Sequence, residues 1–152
     1  MRERFTQDLK DAMKAGDKRK LSTVRLVQAA LKDKDIEARG AGKGQASDEE
    51  ILGLLQKMIK QRQESAGIYE QAGRAELATQ EREEAAIIAS YLPKQMDEAE
   101  TRQAIDAAVA ETGAASMKDM GKVIGALRGK YAGQMDFAKA SALVKEVLPK
   151  GS

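Results

Sequence analysis

The 152-residue chain contains no histidine, no cysteine and no tryptophan. The missing histidine excludes the most chemistry: there is no imidazole to serve as a general base near neutral pH, no Ser-His-Asp triad and no histidine metal ligand. Without cysteine there is no disulfide and no thiolate zinc site. Three tyrosines and two phenylalanines make up the whole aromatic complement, which leaves few platforms on which unpaired bases could stack. No apolar run approaches the ~20 residues that cross a bilayer, and charge interrupts Phe5, Leu9 and Met13 near the N-terminus. The expectation is a cytoplasmic chain with no membrane partner, no cofactor, no metal and no catalytic residue.

Charge is abundant, but its total says little. Lys and Arg number 26 against 24 Asp and Glu, a formal net of +2. Its distribution is uneven. Residues 1–43 hold 12 basic against 7 acidic side chains, a net of +5, and residues 113–152 hold 7 against 3, a net of +4. Two basic ends around an acidic middle can present positive surface to RNA, although exposed lysine also serves ordinary solvation.

Apolar residues recur at steps of three and four throughout, and no alternating pattern of strands appears. The first helix is expected over Arg2 to Ala15, with Phe5, Leu9, Ala12 and Met13 on one face. Gly16 ends it and Asp17 caps a second helix from Lys18 to about Ala38, with Leu21, Val24, Val27 and Leu31 inward and Leu26 and Ala30 widening the stripe. Lys18, Arg19 and Lys20 stand at the end of that helix where the dipole disfavours cations. Residues 39–46, RGAGKGQA, fail as a phosphate loop: Gly44 follows Lys43, Glu37 holds the first glycine position, and a helix precedes. They read as a flexible connection. Ser47 and Glu50 form a capping box for a third helix reaching Ala72, with Ile51, Leu54, Leu55, Met58, Ile59 and Arg62 on one face. A fourth helix follows Gly73, and its Glu81, Glu83 and Glu84 read as a solvated face. Pro93 breaks the run, giving an N-terminal domain of residues 1–92, a linker of 93–96 and a C-terminal domain of 97–149. Asp97 and Asp136 cap two helices of the latter; the last carries Phe137, Ala140, Val144, Val147 and Leu148 inward and stops at Pro149. The fold class is all-α: N-terminal helical hairpins followed by a small three-helix module.

Between those two capped helices lies SMKDMGKVIGALRGKY, Ser116 to Tyr131. Met117, Met120, Ile124, Leu127 and Tyr131 form its apolar face, Ser116 is placed to cap it, and Asp119 reaches back. Gly121, Gly125 and Gly129 fall four apart along one side. A glycine inside a helix costs roughly 1 kcal/mol relative to alanine, so three need a reason. Either a neighbouring helix packs unusually close, or a ligand's backbone does. Lys118, Lys122, Arg128 and Lys130 surround the stripe, and a polyanion would suit them.

Three stretches carry a resemblance: LSTVRLVQAALKDKDIE, the long segment holding AGRAELA (Ala72 to Ala78) and YLPKQ (Tyr91 to Gln95), and the C-terminal segment holding MGKVIGAL (Met120 to Leu127). The whole chain resembles the GatB/YqeY family of small bacterial proteins. The resemblance implies a two-part helical protein whose C-terminal module is similar to the tail domain of GatB, a tRNA-contacting part of the tRNA-dependent amidotransferase. Similar modules fused to a glutaminyl-tRNA synthetase are likewise regarded as tRNA-binding. The amidotransferase-like label of the free-standing proteins goes beyond this chain, which lacks the GatB kinase region and the Ser-Ser-Lys machinery of the partner subunit. The resemblance and the residues together lead to an expected monomer that binds tRNA or another structured RNA without catalysis and serves translation. Lys118, Lys122, Arg128, Lys130 and Lys139 would contact phosphates while Gly121 and Gly125 let the backbone approach. A protein adaptor docking an aminoacyl-tRNA synthetase or amidotransferase is the alternative, and an amidotransferase-like enzyme the least favoured.

Overall fold

In the computed structural model, which describes residues 1–148, every regular element is a helix. Helix α1 (Arg2–Ala15) closes on Gly16, whose φ of 69° lies in the left-handed region that ends a helix without a Cβ clash. Asp17 then accepts from the backbone N–H of Lys20 at 3.1 Å and starts α2 (Lys18–Gly40). Ser47 and Glu50 exchange the two bonds of a capping box at the head of α3 (Asp48–Gln71). Gly73 turns the chain into α4 (Ala75–Ala89).

These four helices form one compact unit, residues 1–92. Helix α1 pairs with α2, α3 pairs with α4, and α2 packs on both α3 and α4. The core gathers Phe5, Val24, Val27, Leu31, Ile51, Leu55, Met58, Ile88 and Tyr91. Phe5 meets Tyr91 edge to face at 4.7 Å, and the Tyr91 hydroxyl donates to Asp8, so the start of the chain is held to the end of α4. Burial and that bond to a carboxylate push the Tyr91 phenol well above its usual range.

Several expected faces are narrower than the pattern suggested. Leu26 is 45% exposed and Met13 57% exposed, so neither belongs to the core. Each helix is covered through one line of contacts, and Leu26 lies ~100° round the axis from Val27. A larger correction concerns Glu84. It is buried rather than solvated, with one carboxylate oxygen 3.2 Å from Arg62 Nε and the other 3.9 Å from Arg19. Arg19, from the basic start of α2, also donates to Glu83 at 3.2 Å. The 39–46 connection is likewise not loose at both ends: Arg39 and Gly40 belong to α2, and Ala46 is buried. Arg2 makes two 2.8 Å hydrogen bonds to Asp35 and a third, at 3.0 Å, to the Ala46 carbonyl, while the Ala46 N–H donates to Asp35 at 2.9 Å. The Arg2 guanidinium holds the Asp35 carboxylate well below its usual range, so this clamp lets go only in strong acid.

The second unit begins at Pro93. The Gln95 side chain donates to the Gly133 carbonyl at 2.6 Å and the Met96 N–H to that of Gln134 at 2.8 Å, so residues expected to be linker are tied into this unit. Asp97 and Glu100 form the capping box of α5 (Glu98–Thr112), which ends at Gly113 with φ 68°. A 3₁₀ turn (Met117–Asp119) leads into α6 (Met120–Tyr131), and Asp136 caps α7 (Phe137–Val147) by accepting from Ala138 and Lys139. The three helices enclose Ala104, Ile105, Ala108, Val123, Leu127, Met135, Ala140, Val144 and Leu148. Leu148 is buried as expected, but Val147 is 39% exposed. Pro149 lies outside the described residues.

Candidate nucleic-acid interface

The segment expected as one helix from Ser116 instead starts with a tighter turn. The Ser116 hydroxyl accepts from the Lys118 N–H at 3.4 Å, and Asp119 accepts from the Ala115 N–H at 2.9 Å. That backbone bond, with Lys122 Nζ a further 3.8 Å contact, holds the Asp119 carboxylate below its usual range. Beyond the turn, α6 is buried along Val123 and Leu127. Met117, Met120, Ile124 and Tyr131 flank that line, half-buried, so the inward face is centred closer to Val123 than the expected stripe. Val123 lies four residues before Leu127 and was the missed signal.

The glycines occupy the outer side. Gly121, Gly125 and Gly129 are exposed, and among the described residues a Cβ built on any of them meets no atom within 4 Å beyond its own stretch of helix. Close packing by a neighbouring helix is therefore not the reason for them. It follows that Gly125→Ala should stabilise the chain by about 1 kcal/mol, the helix-propensity difference undiminished by any clash. Urea unfolding followed by circular dichroism measures this, and a destabilised variant would reveal a neighbour the structure does not have.

The basic side chains do not converge on one face. Lys122 is exposed next to the glycine ridge, and Lys118 is exposed on the turn that leads into it. Arg128 leans toward α7, its guanidinium 5.5 Å from the Phe137 ring centroid. Lys130 turns the other way and donates to Glu111 of α5, which raises its ammonium above the usual lysine range. Two residues apart in a helix means ~200° apart around its axis, so Arg128 and Lys130 stand on opposite flanks. Lys139 is exposed on the first turn of α7, beside a groove lined by Gln95, Met96, Met135 and Leu143. The structure thus brings together Gly121, Gly125 and Lys122, with Lys118 at the head of the ridge. Arg128, three residues after Gly125 as Lys122 is three before it, flanks the ridge on the other side and leans over Phe137, while Lys130 pairs with Glu111 and Lys139 belongs to α7.

Among the described residues no group of three or more histidine, cysteine, aspartate or glutamate side chains is placed to hold a metal ion. No helix of these residues is long and apolar enough to cross a membrane.

The family model described as Yqey-like protein matches residues 2–148 of this all-helical chain. The chain belongs to the YqeY-like family. Both helical units of the YqeY-like fold lie within the match, the α6 ridge included. Two curated relatives share the name Altered inheritance of mitochondria protein 41, mitochondrial. The relative from Vanderwaltozyma polyspora is 34% identical over 86 residues, which is 57% of this chain and 45% of the relative. The relative from Clavispora lusitaniae is 35% identical over 94 residues, 60% of this chain and 52% of its own length. Where they match, this YqeY-like chain spans about half the length of these relatives.

Proposed function

We propose that this chain is a non-catalytic binding protein for tRNA or another structured RNA, seated on the glycine ridge of α6. The observation that carries the reading is the open space above Gly121, Gly125 and Gly129, with Lys118 and Lys122 beside it. Bare helix backbone lets a sugar–phosphate chain come close, and the two ammonium groups supply its counter-charge. Such contacts position an RNA and read its shape rather than its sequence. The only aromatics of the module, Tyr131 and Phe137, are packed against its hydrophobic cluster, which leaves no platform for stacking single-stranded bases. Arg128, Lys130 and Lys139 then act as flanking charge, and an aminoacyl-tRNA synthetase or amidotransferase sharing the tRNA is the kind of partner implied. The reading assigns the chain to the cytoplasm, where the lack of cysteine fits a reducing compartment.

Binding of unacylated tRNA across a salt series tests it. Wild type should lose affinity with a log–log slope of about 0.7 to 0.9 for each phosphate neutralised. Lys118→Glu/Lys122→Glu should bind at least about tenfold more weakly, about 1.4 kcal/mol, with a flatter slope. Lys130→Gln, off the ridge, should bind nearly as wild type. If wild type fails to bind tRNA at low salt, the first unit becomes the place to look for a docked synthetase or amidotransferase.

A further inference from the structure

Helix α2, in the first unit, carries a second line of positive charge. Lys18, Arg25, Lys32 and Arg39 recur every seven residues, and all four are exposed. A seven-residue step advances a helix by ~10.5 Å and falls ~20° short of two full turns, so the four form one stripe ~31 Å long that drifts by ~60° round the axis. Ser22, Ala29 and Ile36 fall between successive cations, so small or uncharged groups separate them. None of the four makes an ion pair within 4 Å among the described residues.

The acids of α2 do not cancel this stripe. The helix holds seven Lys and Arg against three Asp and Glu, a net of +4. Asp35 is bound by Arg2 and only secondarily feels the charge of Arg39, and Glu37 lies 3.6 Å from Lys34. Asp33 falls ~100° round the axis from Lys32. Arg19 and Lys34, by contrast, are occupied with Glu83, Glu84 and Glu37, so the regular stripe, with Lys20 beside its first member, remains open to an outside anion.

We propose that the outer face of α2 binds the phosphate backbone of double-helical RNA, independently of the ridge on α6. Charge complementarity selects the occupant: a long, evenly spaced row of cations without a close ion partner matches a long, regularly charged polyanion. A membrane surface fits less well, because an interfacial helix must offer a continuous apolar face. That face of α2, through Val24, Val27 and Leu31, is already buried in the core. An acidic peptide has no reason to present four charges in a line at ~10.5 Å intervals.

The test is fluorescence anisotropy of an RNA duplex of about 16 base pairs titrated with the full chain across a salt series. Arg25→Glu/Lys32→Glu/Arg39→Glu should lower affinity at least about tenfold and flatten the log–log slope by about 2 to 3. The neutral Arg25→Gln/Lys32→Gln/Arg39→Gln variant, with helix content checked by circular dichroism, should move the same way by less. Unchanged affinity and slope in both variants would overturn the proposal. So would loss of binding to phosphatidylserine vesicles with duplex binding intact. Lys118→Glu/Lys122→Glu run alongside separates the two surfaces. Loss in that variant alone supports the α6 ridge against the α2 stripe, and loss in the α2 variants alone does the reverse. A wild-type chain that binds no duplex overturns the stripe whatever it does with tRNA.

Discussion

Glu84→Ala is expected to destabilise the first helical unit by about 3 kcal/mol, the lower end of the range for stranding a buried partner charge. The Glu84 side chain is 9% exposed and that of Arg62 14%, so neither is well hydrated. Arg62 Nη1 donates to the Met58 carbonyl at 3.2 Å, but its Nε has only the nearby carboxylate for company and no hydrogen bond of good geometry. Removing the carboxylate leaves a guanidinium between α3 and α4 with nothing to balance it. The charge is what makes the loss large. Glu84→Leu combined with Arg62→Met should therefore recover most of the stability, because two packed apolar groups replace the pair without a stranded ion. Urea unfolding followed by circular dichroism reads both variants. A loss below about 1 kcal/mol for Glu84→Ala would mean that water reaches Arg62 freely and that the cluster behaves like a surface pair.

Leu127→Ala should cost about 3 kcal/mol as well, for a different reason and with a different reach. Leu127 is 1% exposed and sits with Val123, Ile105 and Val144 at the centre of the second unit. Truncating it removes buried methyl groups and leaves a cavity that three short helices cannot collapse around. A unit of roughly 60 residues buries a smaller share of its surface than a larger domain. Its total stability is a few kcal/mol, about 0.05 to 0.15 per residue, so this one change takes away much of it. Thermal unfolding should show the second unit melting far earlier while the first is little changed, and limited proteolysis should cut between α5 and α7 first. Ile124→Ala, at a half-buried flank, should cost about 1 kcal/mol. Equal effects of the two substitutions would mean that the buried face is centred elsewhere.

The ends of the helices were legible from sequence because local chemistry decides them. Asp17, Ser47, Asp97 and Asp136 accept from first-turn backbone N–H groups, and Gly16, Gly73 and Gly113 take the left-handed conformation that stops a helix. What periodicity could not say is which part of a broad apolar stripe faces inward. Helix α6 turns Val123 into the core and leaves the methionines at the edge, and Met13 and Leu26 are left outside altogether. Long-range partners were also out of view. Glu84 stands in an acidic run that looks solvated, and only Arg62, on the otherwise apolar face of α3, hinted that a carboxylate must come to meet it. The glycine-rich 39–46 connection reads as loose because Arg2, which pins Ala46, lies 44 residues away. In the candidate site the kinds of residue were legible but their grouping was not. Arg128 and Lys130 are near neighbours in sequence and opposed in space.

The open space above the α6 glycines also makes the ridge an observation post. A chain without cysteine offers no background thiol, so Gly129→Cys would carry the single reactive sulfur in the sequence. Among the described residues nothing beyond its own stretch of helix lies within 4 Å of the position its Cβ would take. A fluorophore or spin label attached there would displace no neighbour, and its signal would report directly on whatever comes to rest along α6.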